Sequence, residues 1–326
     1  MGRLFLLLVV ALCLAPGTWL RAGPRVLDRS EAFAIEPLEV PDAKLGELEV
    51  AGAWQLSSPN YRFGAYSGLL AMGDGTLVAV SDAGRKMRLA EPSAGPVSAI
   101  LDDFGALPTQ EKHLVDAESV TRDPATGTIW AGYEGSNQIV RYDARFRANA
   151  RVRPAEMRTW PGNSGPEALV RLADGRFVVL SEGSPRWLAD EVPALLFPAD
   201  PVDGARPIRF RFRPPAGFSP VDIAQLPDGR LMILLRTVRL GLPPRFENKL
   251  MIADPALIRP GELWPARAVA DLAEPLPMDN YEGLAIEAAP DGSAVLWLIS
   301  DNNQALLQRT LLLKLLWRGY EKGARN

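Results

Sequence analysis

A phrase that recurs along the whole chain limits what this sequence can fold into. Each copy is a short apolar strand, an Asp-Gly or Thr-Gly pair, and a second apolar run, and the five turn glycines are Gly75, Gly127, Gly175, Gly229 and Gly292. Glycine supplies the positive φ of a tight turn, so each copy predicts a β-hairpin. The glycines are 52, 48, 54 and 63 residues apart, which leaves room for two more strands per copy. Four strands in a period near 50 residues are typical of a β-propeller blade.

The number of blades follows from the number of copies. Five copies favour five blades, and a sixth, degenerate blade within 186–213 or 239–275 is the alternative. Residues 44–57 carry a lone strand pattern (Leu48, Val50, Trp54, Leu56) ahead of the first copy. We expect this strand to complete the last blade and close the ring, which removes exposed sheet edges. The sequence therefore predicts an all-β fold, a β-propeller of about five four-stranded blades closed by an N-terminal strand.

Composition excludes several classes of site. The 326 residues have a formal net charge of −3 and contain one Cys and one His. A nucleic-acid interface needs a dense basic patch, which is missing, so we expect a small molecule as the partner and no nucleic acid. Zinc sites built from His and Cys, redox pairs and a disulfide framework are excluded as well. Any metal ion would have to be held by oxygen ligands.

The first 22 residues have the layout of a secretory signal. Arg3 precedes an apolar run from Leu4 to Ala15, and a small residue follows at Ala22. The run is short for a membrane span of about 20 residues, although an uncleaved anchor is the alternative. We predict a signal peptide at 1–22, a linker at 23–43, the propeller domain at 44–317 and a tail at 318–326. The mature protein would then be periplasmic or secreted, with no membrane span.

Acidic residues recur at two positions of the repeat. Residues at equal positions in successive blades form rings around the central channel, and two rings of carboxylates are expected. The first follows the turn glycine and holds Asp82, Glu134, Glu182 and Asp301, with Arg236 in the fourth copy. The second begins the first strand and holds Glu118, Glu167 and Glu282, with Ser67 and Val221 in the other copies. Both rings should open on one mouth, where carboxylates repel one another unless a cation offsets them.

Three interpretations of these rings are open. The glutamates accept backbone N–H groups and tie neighbouring blades together, or some of the carboxylates bind Ca²⁺, which takes 6–8 oxygen ligands. In the third interpretation two carboxylates act as general acid and base without a metal. Arg85 and Arg236 are the cations nearest to the rings by position. His113 lies in a polar loop near Asp116 and is either a surface residue or a proton carrier.

Three phrases that precede hairpins carry a resemblance to a known family. They are Asp116-Ala-Glu-Ser-Val, Gly165-Pro-Glu-Ala-Leu and Asn280-Tyr-Glu-Gly-Leu. Over roughly residues 60 to 315 the chain resembles the phytase-like family (esterase-like activity of phytase), exported bacterial proteins of the β-propeller group. The resemblance implies hydrolysis of phosphoesters or carboxylic esters, with Ca²⁺ as the metal. Glu-Gly-Leu before a hairpin also occurs in lactonase-like propellers.

The leading hypothesis is a Ca²⁺-dependent hydrolase of phosphoesters or related esters. It assigns metal binding to Asp82, Glu134, Glu182 and Asp301, catalysis to Glu118, Glu167 and Glu282, and substrate binding to Arg85 and Arg236. Bound Ca²⁺ would neutralise the charge of the substrate and lower the pKa of an attacking water. The alternatives are a non-catalytic envelope protein that binds a ligand or a partner, and a lactonase-like hydrolase.

Overall fold

A computed structural model describes residues 28–41, 44–92, 97–105, 116–162, 164–184, 190–241, 244–305 and 307–318. The chain enters through β1 (Ala34–Pro37), β2 (Lys44–Leu45) and β3 (Leu48–Ser57). His113 and the expected signal peptide lie outside the described residues. Strand β1 falls in the segment that the sequence assigns to a linker, and it pairs antiparallel with β3 from Ala34↔Ser57 to Pro37↔Trp54.

Five antiparallel sheets follow one another along the chain, and each sheet is one blade. The first blade is β4 (Tyr66–Ala71), β5 (Thr76–Ser81), β6 (Arg85–Ala90) and β7 (Ala99–Asp103). The second is β8 (Ala117–Arg122), β9 (Ile129–Tyr133), β10 (Gln138–Tyr142) and β11 (Ala148–Val152). The third is β12 (Ala168–Arg171), β13 (Phe177–Leu180), β14 (Val192–Phe197) and β15 (Ile208–Phe212).

The last two blades complete the ring. The fourth is β16 (Ser219–Gln225), β17 (Leu231–Arg239), β18 (Arg245–Ala253) and β19 (Ala266–Leu272). The fifth combines β20 (Tyr281–Ala288), β21 (Ala294–Ser300) and β22 (Thr310–Trp317) with β3, which pairs with β22 from Leu48↔Trp317 to Leu56↔Thr310. The N-terminal strand therefore closes the propeller, as the sequence predicts.

The alternative of a sixth blade is wrong. Residues 186–213 and 239–275 supply the outer strands of blades three and four instead, β14 and β15 in one case and β18 and β19 in the other. Both segments contain apolar strand patterns, but those patterns complete sheets that already have an inner hairpin. The fold is thus all-β with five four-stranded blades, and we find no helical segment in the described residues with the length and apolarity that a membrane crossing requires.

The core lies between the blades. Five apolar clusters fill the five interfaces between neighbouring blades, as the described residues show. Alternate residues of one strand serve opposite interfaces: Ile233 packs with the third blade and Leu234 with the fifth. This explains why inner strands such as Leu231–Arg239 are apolar on both faces, since a strand between two packed faces has little solvent-facing side. Burial at every interface holds the inner strands in fixed positions around the channel.

Candidate metal centre at the channel mouth

The residues of the first acidic ring occupy one repeated backbone position. In four blades the backbone N–H of the ring residue donates to the carbonyl of the residue two positions before Ser67, Glu118, Glu167 or Glu282, the residues at the second ring position. These bonds are Asp82 to Ala65 at 3.1 Å, Glu134 to Asp116 at 3.1 Å, Glu182 to Gly165 at 3.3 Å and Asp301 to Asn280 at 2.8 Å. In the fourth blade Arg236 takes the place of the carboxylate and pairs in register with Ser219. All five residues therefore lie at the same end of their blades.

The second ring coincides with an irregularity of the inner strands. The ladder between the first two strands shifts register at one residue in four of the blades, and the skipped residues are Ser67, Glu118, Val221 and Glu282. In the third blade Glu167 stands directly before β12, at the equivalent place. A bulge leaves its extra residue unpaired and re-aims side chains. It therefore adds the second set of carboxylates to the same mouth as the first.

The structure joins the two rings into two groups of three carboxylates. One group is Asp82, Asp116 and Glu118, and the other is Glu134, Glu167 and Glu182. In each group one oxygen from every residue lies within 4.8 Å of the others. Each group combines one residue of the second ring, Glu118 or Glu167, with one or two residues of the first ring. Asp116, two residues before Glu118, completes the first group. Two residues that the sequence assigns to catalysis, Glu118 and Glu167, are thus direct neighbours of residues that it assigns to metal binding.

Asp116 is a member of the site that the two-ring pattern misses. It stands two residues before Glu118, where the other copies have Ala65, Gly165, Ser219 and Asn280, so no repeated residue type marks the position. The side chain is nonetheless buried. The signal that could have found it is the phrase Asp116-Ala-Glu, in which two acidic residues flank the start of the strand.

Arg236 connects the third, fourth and fifth blades at the mouth. Its Nη2 donates to Glu182 Oε1 over 2.8 Å, and its Nη1 donates to Glu282 Oε1 and, over 3.2 Å, to Asn280 Oδ1. Asn280 in turn donates to Glu282 Oε1 over 2.8 Å. Burial alone would lower the pKa of the guanidinium, but Glu282 and Glu182 raise it above its ordinary value. Arg236 is therefore a fixed positive charge inside the acidic ring.

The remaining assigned residues occupy different surroundings. Arg85 donates from Nη1 to the carbonyl oxygen of Tyr61 and lies over the Tyr61 ring, 5.2 Å from its centroid. Asp301 is buried, and its Oδ1 accepts the N–H of Asn303 over 2.7 Å. Both residues lie outside the two groups of three carboxylates. Metal binding by Asp301 and substrate binding by Arg85 stay predictions, as do the other assigned roles.

Burial and mutual repulsion raise the pKa values of several carboxyls at the mouth. Burial raises the pKa of Glu118 well above its ordinary value, and Glu282, Asp82 and other acidic neighbours raise it further. Glu167 and Asp301 are raised in the same way, burial being the largest cause. The pKa of Glu282 is also raised by burial, but Arg236 and the Asn280 hydrogen bond oppose the rise. The mouth therefore disfavours full ionisation unless additional positive charge enters it.

Smaller side chains tie the blades together. Bonds of this kind that cross blade interfaces include Ser67 Oγ to Ala117 O at 2.5 Å, Ser119 Oγ to Pro166 O at 2.6 Å, Leu284 N to Asp222 Oδ2 at 2.6 Å and Ala65 N to Asn302 Oδ1 at 3.1 Å. The side-chain carboxylates of Glu118 and Glu167, by contrast, accept no hydrogen bond from the residues that the structure describes. The interpretation in which these two glutamates tie neighbouring blades together is therefore weakened, because other residues make the hydrogen bonds between blades.

The donor set at the mouth suits a hard divalent cation. Ca²⁺ binds 6–8 oxygen atoms, and the three carboxylates of one group offer up to six. Buried carboxylates without donors carry an electrostatic cost that a bound cation would remove. Either group of three could hold such an ion, and Glu182 could do so while its Oε1 binds Arg236.

Among solved structures, the chain is similar to a hypothetical protein from Leishmania major (10% identity, TM-score 0.41, covering 84% of this chain and 86% of that one), a nidogen/laminin complex (11%, 0.42, 86% and 97%) and a protein of unknown function from Bacteroides caccae (11%, 0.35, 69% and 67%). These likenesses are too distant to carry an argument about function. No curated protein matches the chain.

A family of known proteins matches most of the chain. The sequence model of the Phytase-like family, described as esterase-like activity of phytase, matches residues 61–304. That match is 244 of 326 residues, it contains all five turn glycines, and it spans both groups of carboxylates. The chain belongs to the Phytase-like family.

Proposed function

We propose that the protein is an exported hydrolase of phosphoesters or related esters, which works with Ca²⁺ bound at the mouth of the propeller channel. The observation that carries the proposal is the convergence of two groups of three carboxylates on one mouth. The family match supports a hydrolase-type propeller. Export rests on the signal-like N-terminus, and the absence of a cysteine after Cys13 suits an exported chain that does without disulfides.

The residues of the two groups would hold the cation. Asp82, Asp116 and Glu118 form one candidate set, and Glu134, Glu167 and Glu182 form the other. A bound divalent cation supplies charge neutralisation for an anionic ester and polarises its oxygen or an attacking water. This charge neutralisation matters because the mouth is strongly acidic, and the carboxylates would otherwise repel an anionic substrate.

Glu282 is the side chain best placed to accept a proton. Arg236 and Asn280 both donate to its Oε1, so Oε2 keeps its lone pairs. Burial raises the pKa of this carboxyl while Arg236 limits the rise, and a carboxylate with a raised pKa is a better proton acceptor than an ordinary one. Arg236 would orient Glu282 and, with its remaining donors, contact an oxygen of the substrate.

A substrate panel tests the proposal. Phosphomonoesters and aryl carboxylic esters are incubated with purified protein in millimolar Ca²⁺ or in EDTA, and product release is measured. We expect hydrolysis with Ca²⁺ that EDTA abolishes, and loss of turnover in Glu282→Gln. The matched control is Glu247→Gln, an exposed glutamate paired with Arg239 in the fourth blade. No activity on any ester with Ca²⁺ present would overturn the enzymatic proposal in favour of a ligand-binding propeller.

A further inference from the structure

The hairpin of the fourth blade extends beyond the acidic ring. Strands β17 and β18 continue their ladder past Arg236↔Asn248 through Thr237↔Glu247 and Val238↔Phe246 to Arg239↔Arg245. Three further residues at about 3.3 Å each place the end of the ladder roughly 10 Å above the ring. In the first blade, by contrast, the next strand already begins at Arg85, three residues after Asp82. The fourth blade therefore raises a wall beside the mouth.

Strand alternation shows which way this wall faces. Side chains two residues apart share a face, so Val238 lies on the face of Arg236, and Phe246 lies on the face of Asn248. Asn248 donates to the carbonyl of Tyr281 in the fifth blade over 2.9 Å, and Arg236 reaches Glu282 in the same blade. Val238 therefore lies on the side of the wall that faces the fifth blade.

Exposed apolar side chains follow the ring residues of blades four and five. The described residues include six large apolar side chains that are exposed, and three of them follow ring residues at the mouth of blades four and five: Val238 at 48%, Leu240 at 94% and Leu307 at 56%. Leu307 lies in the connection from β21 to β22, which begins at the ring residue Asp301. We name Val238, Leu240 and Leu307 the apolar lip. Apolar side chains grouped beside a polar site are typical of a binding surface.

We propose that the apolar lip binds the apolar acyl, alkyl or aryl part of an ester whose polar end enters the acidic mouth. The inference rests on the proposed function and narrows its substrate class to amphiphilic esters. Val238 stands two residues beyond Arg236 on the same face of β17, so one molecule can contact both the lip and the Arg236–Glu282 pair. A small, fully polar phosphate ester would leave these side chains in water.

A pair of phosphonates measures the contribution of the lip without turnover. Methylphosphonate and hexylphosphonate carry the same charged end, and neither contains an ester bond. Full burial of one methylene group strengthens binding about fourfold. Because the lip contacts the alkyl chain on one side only, each methylene should contribute about half of that binding free energy. We therefore expect the wild-type protein in Ca²⁺ to bind hexylphosphonate at least about tenfold more tightly than methylphosphonate in isothermal titration calorimetry.

Two variants locate that preference on the lip. The double variant Val238→Ser, Leu240→Ser should bind both phosphonates within about twofold of each other, with an unchanged melting temperature because both side chains are exposed. The matched control is Leu257→Ser, since Leu257 is also 48% exposed but follows β18 at the opposite end of the same blade. This control should keep the full preference.

The outcomes separate this inference from the proposed function. Equal affinity of the wild-type protein for both phosphonates, or a preference that survives in the double variant, would overturn the role of the lip while hydrolysis with Ca²⁺ stands. Binding of hexylphosphonate without hydrolysis of any ester would overturn the enzymatic proposal and leave the lip as part of a ligand site. A dimer in solution that the double variant converts to a monomer, with no preference for hexylphosphonate, would make the lip a contact between two copies.

Discussion

Arg236 of the fourth blade donates to Glu182 of the third blade over 2.8 Å, at the ring position where the other four blades carry a carboxylate. The same guanidinium binds Glu282 of the fifth blade. The pseudo-symmetry of the propeller is therefore broken by charge, because one ring position provides a cation and four provide anions. Arg236 binds one member of the second group of three carboxylates, Glu182, and none of the first group, which is Asp82, Asp116 and Glu118.

Replacing Arg236 should show how much repulsion between the carboxylates its positive charge offsets. Arg236→Gln leaves Glu182 and Glu282 without their shared cation, and removing one partner of a buried ion pair costs about 3 kcal/mol or more. We expect that loss in the free energy of unfolding in urea at pH 8 with EDTA, and a smaller loss at pH 5, where carboxyls take up protons. Arg239→Gln is the control, since its pair with Glu247 is exposed and should contribute less than about 1 kcal/mol. Equal losses in the two variants would contradict this account.

The stability of the metal-free protein should fall as pH rises. The pKa values of Glu118, Glu167 and Asp301 in the folded protein are raised above the ordinary 4.5 for Glu and 3.8 for Asp, chiefly by burial. The folded state therefore binds more protons than the unfolded state. The resulting stability is fully present below pH 4 and is lost progressively as pH rises from there toward the raised values.

Added Ca²⁺ should reverse that loss at high pH. A ligand at 100 times its Kd stabilises the folded state by about 2.7 kcal/mol. Melting temperatures at pH 5 and pH 8 with EDTA, Mg²⁺ or Ca²⁺ check both statements. Mg²⁺ should stabilise less, because it demands octahedral geometry and loses water reluctantly. The same melting temperature in EDTA and in millimolar Ca²⁺ at pH 8 would mean that the mouth holds no Ca²⁺ site of consequence.

Much of the fold and the positions of the acidic rings could be predicted from the sequence. Each Asp-Gly or Thr-Gly turn fixes the register of its hairpin, so counting from Gly75 or Gly175 locates Asp82 and Glu182 correctly. The closing strand was also predictable, because residues 48–56 have an apolar pattern without a partner in their own neighbourhood.

The side-chain arrangement at the mouth could not be obtained in this way. The bulges at Glu118 and Glu282 leave no mark in the sequence, yet they bring the second ring into contact with the first. Arg85 is close to Asp82 in sequence, but a turn separates the two residues and Arg85 binds Tyr61 instead. The residues that fasten the blades, such as Ser119 and Asp222, stand one position after the acidic ring and belong to no repeated type.

Neutralising Glu118 distinguishes a metal ligand from a structural residue. Glu118→Gln removes one charge from a crowded group, so in EDTA at pH 8 the protein should gain stability on the order of 1 kcal/mol. The increase in melting temperature that Ca²⁺ produces should become smaller, because a ligand is lost. Glu247→Gln, in the extended hairpin of the fourth blade and paired with the exposed Arg239, should change neither quantity. A Glu118→Gln protein that is less stable in EDTA would instead support a fastening role for this glutamate.

Asp222 should matter for stability whether or not Ca²⁺ is present. Its carboxylate is fully buried and accepts the N–H of Leu284 in the fifth blade over 2.6 Å and the N–H of Ile223 over 2.8 Å. Asp222→Ala leaves both buried N–H groups without an acceptor, and each such group costs about 1–3 kcal/mol. We therefore expect a loss of about 2–5 kcal/mol in the free energy of unfolding at pH 7, equal in EDTA and in Ca²⁺.

The control for this variant is Asp271→Ala in the same blade, where the carboxylate is exposed and binds Lys249. That substitution should cost less than about 1 kcal/mol. Because Asp222 fastens β16 to β20 and is separate from the two carboxylate groups, its loss should not reduce the stabilisation that Ca²⁺ provides. If millimolar Ca²⁺ restored the stability of Asp222→Ala to that of the wild-type protein, the blade contact and the cation site would be coupled, and the separation of the two roles would be wrong.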